Sequence, residues 1–236
     1  MPSLTSTIVR GLARTGLAVQ RHPARRRQAM LAEQGVDVVL DVGAARGGFA
    51  QELRKFGYPG QIVSFEPMTA AFADLVAASA DDERWTCVNA ALGRTPGPQT
   101  INIASNSDSS SLLAMEQEHR SAAPDVDYIG QEEIEVVRLD DAAPEYIGSR
   151  TFLKIDTQGF EKEVLAGGPN TVKDCVGLQL ELSFVPLYTG GMLVDEAIAL
   201  AYDEGFRMVA VWHGFTSPGG AMLQADAVFF RPDHRR

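Results

Sequence analysis

Short apolar runs of strand length alternate along this chain with stretches in which apolar residues recur at helical spacing, and that alternation predicts an α/β fold. Val38-Val39-Leu40 leads into Asp41, a second run ends in Glu66, and WTCVNAALG (85–93) reads as a third strand ending in Asn89-Ala90. TFLKID (151–156) and VGLQLELS (176–183) supply a fourth and a fifth. FRMVAVWHG (206–214) and DAVFFR (226–231) follow, joined by a turn rich in glycine and proline, so these two run antiparallel. Helical patterns fill the gaps: one opens at Gly47-Gly48, and one follows Pro67 with Phe72, Leu75 and Val76 on a single face. Another starts near Glu161 and ends at Gly167-Gly168-Pro169, and a last is closed by Gly205. The expected architecture is a doubly wound, mostly parallel sheet with an antiparallel C-terminal strand. Residues 36–236 form its one domain and 1–35 an N-terminal helical extension.

Two stretches depart from the alternation. Residues 3–20 place Leu4, Ile8, Leu12 and Val19 at helical spacing with Arg10 and Arg14 elsewhere on the surface, and Arg25-Arg26-Arg27 extend the basic character. That pattern fits an exposed helix packed on the domain or on a second subunit, and also a helix resting on an anionic membrane surface. Between Gln99–Ala104 and Ile134–Leu139, both strand-like, lies a long polar interlude. Such a segment inside a domain is usually functional or mobile, and Ser105–Ser111 reads either as a lid over a ligand crevice or as a surface loop. His119, within the interlude, reads as solvated.

Composition narrows the field. A net charge of −10 over 236 residues argues against a nucleic-acid partner, whose footprint would be basic. Cys87 and Cys175 lie in or beside strands without metal-ligand spacing and read as reduced core residues, which with arginines interrupting any signal-peptide core suggests a cytoplasmic protein. No run has the length of a membrane span.

The candidate chemistry gathers at Val36–Glu66, a strand, glycine turn, helix and second strand with an acidic tip. The glycines let a ligand approach the backbone, and Glu66 stands where a ribose diol is gripped. The turn reads Gly43-Ala44-Ala45-Arg46-Gly47-Gly48, with Ala45 in the place of the middle glycine that admits a dinucleotide pyrophosphate. Asp41 just before it would repel a diphosphate and welcome an ammonium group. S-adenosylmethionine combines a ribose, no phosphate and an amino-acid tail, and so fits Asp41, Gly43, Ala45, Arg46, Gly47, Glu66 and the adjoining Pro67 as cofactor residues. Asn89 and Ala90, at the end of the third strand, face the adenine in such a site, although Asn89 also suits a plain turn. A sheet ending in an antiparallel hairpin is the Rossmann-like methyltransferase arrangement rather than the all-parallel dinucleotide one.

Methyl transfer to a hydroxyl needs the acceptor oxygen in line with the sulfonium methyl and a base for its proton. Asp156, Glu181 and His213 are expected at carboxyl ends of strands on the cofactor rim, and of these His213 titrates nearest neutrality; it also reads as a hairpin histidine without chemistry. Glu181 could instead hold acceptor hydroxyls together with Ser109, Ser110 and Tyr188, a set suited to a sugar, and Lys154 could pair with an acid within the sheet. A divalent ion such as Mg²⁺ beside Asp156 would activate the hydroxyl differently, and the metal question stays open. Two other classes compete: a nicotinamide-dependent oxidoreductase, disfavoured by Ala45, and a non-catalytic methyltransferase-like binding subunit, whose turn should be damaged whereas this one is whole.

VVLDVGAARGGFA, VSFEP, NSDSSSL, FLKIDTQGFEKEVLAG, LQLELSFVPLY and the closing DAVFFR resemble the FkbM family of S-adenosylmethionine-dependent methyltransferases over roughly residues 36–231. The resemblance implies methylation of a hydroxyl oxygen, often on a sugar or a polyketide-like metabolite. It carries over Asp41, Gly43, Gly47 and Glu66 as cofactor residues and Asp156 as a residue of the central crevice.

Overall fold

The structure, a computed structural model, describes Thr15 and residues 22–232. At its centre β1 (Val38–Val42) lies parallel between β2 (Gln61–Phe65) and β7 (Thr151–Ile155), and every residue of β1 is buried. β3 (Trp85–Val88), β8 (Cys175–Ser183), β9 (Arg207–His213) and β10 (Gln224–Phe230) complete a seven-stranded sheet of order β3-β2-β1-β7-β8-β10-β9. β10 runs antiparallel to both its neighbours, as the hairpin pattern requires. The order reverses beside β1, so the carboxyl ends of β1, β2 and β7 open a crevice there, the place where open α/β sheets take ligands.

Side-chain alternation assigns the layers. Val38, Leu40 and Val42 pack with Leu153, Ile155, Leu178 and Leu180 under α6 (Glu161–Ala166), α7 (Pro169–Asp174) and α8 (Val194–Asp203). Val39 points the other way, into a cluster holding Leu31 of α1 (Pro23–Glu33), Ala50 and Leu53 of α2 (Gly48–Lys55) and Leu75 of α3 (Thr69–Ser79). On α3 the buried pair is Ala71 and Leu75, four residues apart; Val76, expected on the core face, is 44% exposed because the stripe is rotated from it.

The polar interlude is where the outcome differs most from the expectation. The run 85–93 is not one strand: it breaks at Asn89-Ala90, and β4 (Ala91–Leu92) joins a second sheet of order β4-β6-β5. β5 (Gly97–Ala104) and β6 (Tyr128–Val137) pair antiparallel, and β6 begins well before the expected Ile134, whereas Leu139 starts the short helix α5 (Leu139–Ala142). The early half of β6 reads Tyr-Ile-Gly-Gln-Glu-Glu and lies largely exposed, so no apolar period announces it. A short helix, α4 (Gln117–Ala122), contains His119, which is buried rather than solvated, its ring 5.4 Å from that of Tyr188 and 5.6 Å from that of Phe215.

The helix expected over 3–20 lies, Thr15 apart, outside the described residues. Of the basic run that follows it, Arg25 and Arg26 are exposed on α1 whereas Arg27 is buried. Among the described residues no helix is long and apolar enough to cross a membrane, and Cys87 and Cys175 are free, the first half-buried and the second buried.

Candidate functional site

A cavity of about 590 Å³ opens at the carboxyl ends of β1, β2 and β7, within the size range of small-molecule sites. One wall is the glycine turn. Gly43 adopts φ +73°, and a Cβ there would lie 1.9 Å from the Asp156 carbonyl oxygen, so only glycine lets the ends of β1 and β7 approach this closely. The Gly43 and Ala44 amides donate to the Phe65 carbonyl at 3.1 and 3.0 Å, strapping the turn to β2. Gly47, at φ +83°, precedes α2 with its missing Cβ against the Trp85 ring.

Glu66 is fixed at the tip of β2. The Ala45 amide donates to its Oε2 and the Met68 amide to its Oε1, both at 2.9 Å, while the Asn89 amide side chain donates to the Glu66 and Pro67 carbonyls at 2.9 and 3.0 Å. Asn89 therefore braces this corner and does not itself line the cavity, whereas Glu66, Pro67 and Ala90 do. Burial raises the Glu66 pKa above the usual carboxylate value, with the two amides and Lys154 pulling against it.

Behind the turn a polar row crosses adjacent strands in register: Ser64, Asp41, Lys154 and Gln179, all buried. Trp85 Nε1 donates to Ser64 Oγ at 2.9 Å, Ser64 Oγ donates to Asp41 Oδ2 at 3.1 Å, and Lys154 Nζ pairs with Asp41 Oδ1 at 3.0 Å while donating to the Gly43 carbonyl at 2.8 Å. Asp41 is fully buried and does not line the cavity; the ammonium beside it is the protein's own Lys154.

The opposite wall is built around Gln158. Its Nε2 donates to Asp156 Oδ1 at 2.8 Å and to Glu181 Oε2 at 3.1 Å, and Gln224 Nε2 donates to the same Glu181 oxygen at 2.6 Å. The Tyr188 hydroxyl lies 2.9 Å from Gln158 Oε1 and 3.2 Å from the Ser109 carbonyl, and its single proton goes to one of them. The loop is capped from α6, since the Thr157 and Gly159 amides donate to Glu161 Oε1 at 3.0 and 3.1 Å. Ser111 Oγ donates to the Gln158 carbonyl at 2.7 Å, which brings the serine-rich loop to the rim. Ser107, Asp108 and Ser110 line the cavity; Ser109 turns away, exchanging hydrogen bonds with Asn106. The non-glycine residues with positive φ among those described are Ala45, Ser107 and Gln158, at +47°, +66° and +54°, and all three line the cavity, where strained backbone tends to collect at functional sites.

Asp156 faces the cavity with its side chain 36% exposed. Glu181 and Tyr188 stand behind it and reach it through Gln158. Burial, reinforced by Asp156, Glu161 and Asp226, pushes the Glu181 pKa well above the usual value. His213 is not brought to this cluster: Trp212 points into the sheet's packed face, so by alternation His213 turns outward with Val211 on the edge strand β9 and is exposed. Arg46 lines the cavity as an exposed residue paired with Asp74 at 3.3 Å. Arg27 and Gln158, which the sequence pattern does not single out as site residues, also line the cavity. Arg27 left a signal, since it shares the helical stripe of Ala24 and Leu31, where an apolar residue is expected. For Mg²⁺ there is no support: among the described residues no group of three or more His, Cys, Asp or Glu has the arrangement to hold a metal ion.

A sheet of this order with a reversed β10, a glycine turn after β1 and a buried acid at the tip of β2 defines a Rossmann-like methyltransferase fold. The chain belongs to the FkbM methyltransferase family, since the model of the methyltransferase FkbM domain matches residues 41–208. Among solved structures, TehB from Haemophilus influenzae is similar with a TM-score of 0.51 and 9% identity, covering 90% of this chain and 63% of that one. Magnesium protoporphyrin IX methyltransferase (ChlM) from Synechocystis PCC 6803, solved with bound SAM, gives a TM-score of 0.49 and 12% identity over 98% of this chain and 86% of that one. At such identities the likeness is one of fold. No curated protein matches the chain.

Proposed function

We propose that this protein is an S-adenosylmethionine-dependent O-methyltransferase whose acceptor is a hydroxyl of a sugar, a glycan or another hydroxyl-rich metabolite. The observation that carries the cofactor is Glu66, buried at the tip of β2 and facing the cavity across the turn that its own carboxylate braces through Ala45. Each of its oxygens accepts one backbone amide and keeps a second lone pair, the pattern a ribose diol requires. Pro67, Met68 and Ala90 offer an apolar seat for a base, and Ala45 occupies the place where a pyrophosphate needs glycine.

When bound, the cofactor supplies an electrophilic methyl group on a sulfonium. The chain's part is to hold an acceptor hydroxyl and take its proton, and Asp156 is assigned the base because its carboxylate faces the cavity at the end of β7, whereas Glu66 at the end of β2 is given to the ribose. Gln158 fixes Asp156 Oδ1, and Oδ2, 3.8 Å from Lys154 Nζ, is the oxygen that takes the proton. Ser107, Asp108 and Ser110 supply hydrogen-bonding groups on the same rim, which supports a hydroxyl-rich acceptor.

Calorimetric titration with S-adenosylhomocysteine on wild type and Glu66→Ala, with NAD as a parallel ligand, tests this. Binding that is lost in the variant, with NAD ignored, is the expected result. A folded wild type that does not bind the ligand would make the chain a binding subunit on a methyltransferase scaffold, and selective NAD binding would make it an oxidoreductase. An acceptor screen beginning with glycans follows the first outcome.

A further inference from the structure

Arg27 is the only described residue of the cavity wall that precedes β1 in the chain. It is 5% exposed, and its guanidinium lies 4.7 Å from the Phe49 ring and 5.4 Å from the Trp212 ring. Phe49 is in the first turn of α2, immediately after the glycine turn, and Lys154 Nζ lies 5.4 Å from the same ring. Arg27 Nη1 stands 3.9 Å from Glu52 Oε2, at the limit of an ion pair, and among the described residues Nε has no hydrogen-bond partner. A buried donor left unpaired costs free energy unless a ligand pairs it. The other cations of the wall are committed, Lys154 to Asp41 and the Gly43 carbonyl, and Arg46 to Asp74 at the surface.

The surroundings say what kind of ligand suits this guanidinium. Glu52, Asp156 and Asp226 also line the cavity, and Asp41 lies behind it. A bare anion would meet these carboxylates around a single guanidinium and be repelled. A zwitterion meets no such penalty, because its ammonium finds the acids while its carboxylate finds the arginine. We propose that Arg27 holds the α-carboxylate of the cofactor's amino-acid tail, leaving Glu52 and Asp226 for the ammonium of the same tail. This rests on the S-adenosylmethionine reading of the cavity, and it makes α1 part of the binding site rather than an appendage.

The test is calorimetry on the full chain, wild type and Arg27→Met, with S-adenosylhomocysteine, which carries the tail, and methylthioadenosine, which lacks it. Methionine keeps an apolar stem between Phe49 and Trp212 and removes the fork. The variant is expected to bind S-adenosylhomocysteine about 10- to 100-fold more weakly and methylthioadenosine as wild type does. Unchanged affinity for S-adenosylhomocysteine, or equal losses for both ligands, overturns the assignment. If Arg27→Met loses its cooperative melting transition, wild type decides with S-adenosylhomocysteine and its decarboxylated analogue. A preference of about tenfold or more for the carboxylate-bearing ligand supports the assignment, and equal affinity overturns it. Wild type that binds neither nucleoside overturns the cofactor reading itself, an outcome seen before any variant is titrated.

Discussion

Asp41 Oδ1 and Lys154 Nζ stand 3.0 Å apart on adjacent strands, the carboxylate fully buried and the lysine 4% exposed. The pair does two things at once. It neutralises an acid that would otherwise be isolated inside the sheet, and through the lysine's bond to the Gly43 carbonyl it ties the start of the glycine turn to β7. Burial would lower the Lys154 pKa, but Asp41 and Asp156 outweigh it and leave it raised above the ordinary value. The ammonium therefore persists through the neutral range.

Breaking the pair from one side should be costly. Lys154→Met leaves Asp41 as an uncompensated buried charge, and a loss of about 3–5 kcal/mol is expected in urea unfolding. The double variant Asp41→Asn/Lys154→Met removes the stranded charge and should recover most of that loss. A single variant within about 1 kcal/mol of wild type would show that the pair does not hold the sheet as described.

Two glycines of the same turn, Gly43 and Gly48, should respond oppositely to alanine. At Gly43 the new Cβ meets the Asp156 carbonyl oxygen and the backbone sits at φ +73°, so Gly43→Ala should cost at least about 2 kcal/mol. At Gly48, the first residue of α2, nothing lies within 4 Å of the added Cβ, and helix propensity should give a few tenths to about 1 kcal/mol of stabilisation. Thermal melting of the two variants checks the contrast, and equal effects would sink it.

What the sequence made legible was local. The strand, turn, helix and acidic tip of Val36–Glu66 depend on neighbours close in the chain, and each lies where the pattern put it. The partner of Asp41 depends on register between strands more than a hundred residues apart. A lysine inside the apolar run of β7 signalled that some acid within the sheet would meet it, but not which. Gln158 was harder still, because a left-handed glutamine in a loop gains its place from Asp156, Glu181, Tyr188 and Ser111 together. Arg27 looked like one more charge in a basic run, and only its place on the stripe of Ala24 and Leu31 sets it apart.

If Asp156 takes the acceptor proton, Asp156→Asn should separate chemistry from binding. The amide keeps the side chain's size and removes the basic oxygen. S-adenosylhomocysteine affinity should remain at the wild-type level while the methyl-transfer rate falls about a hundredfold to ten-thousandfold. Affinity and rate lost in parallel would instead make Asp156 a cofactor-binding residue.

Glu181 supplies a pH test with a definite sign. Burial raises its folded-state pKa well above the usual carboxylate value, with Asp156, Glu161 and Asp226 adding to the effect. Its contribution to stability is therefore fully present below the unfolded-state value, near 4.3 for a glutamate, and is lost as pH rises through the raised folded value. Both hydrogen bonds to the side chain, from Gln158 and Gln224, land on Oε2, so a glutamine can keep them on its oxygen and place its nitrogen where Oε1 stands. Glu181→Gln should accordingly match wild type in buffer at about pH 4 and melt at a higher temperature than wild type in mildly alkaline buffer. A variant that is less stable at both, or whose difference from wild type does not change with pH, would mean that Glu181 is already held as a carboxylate by its two amide donors.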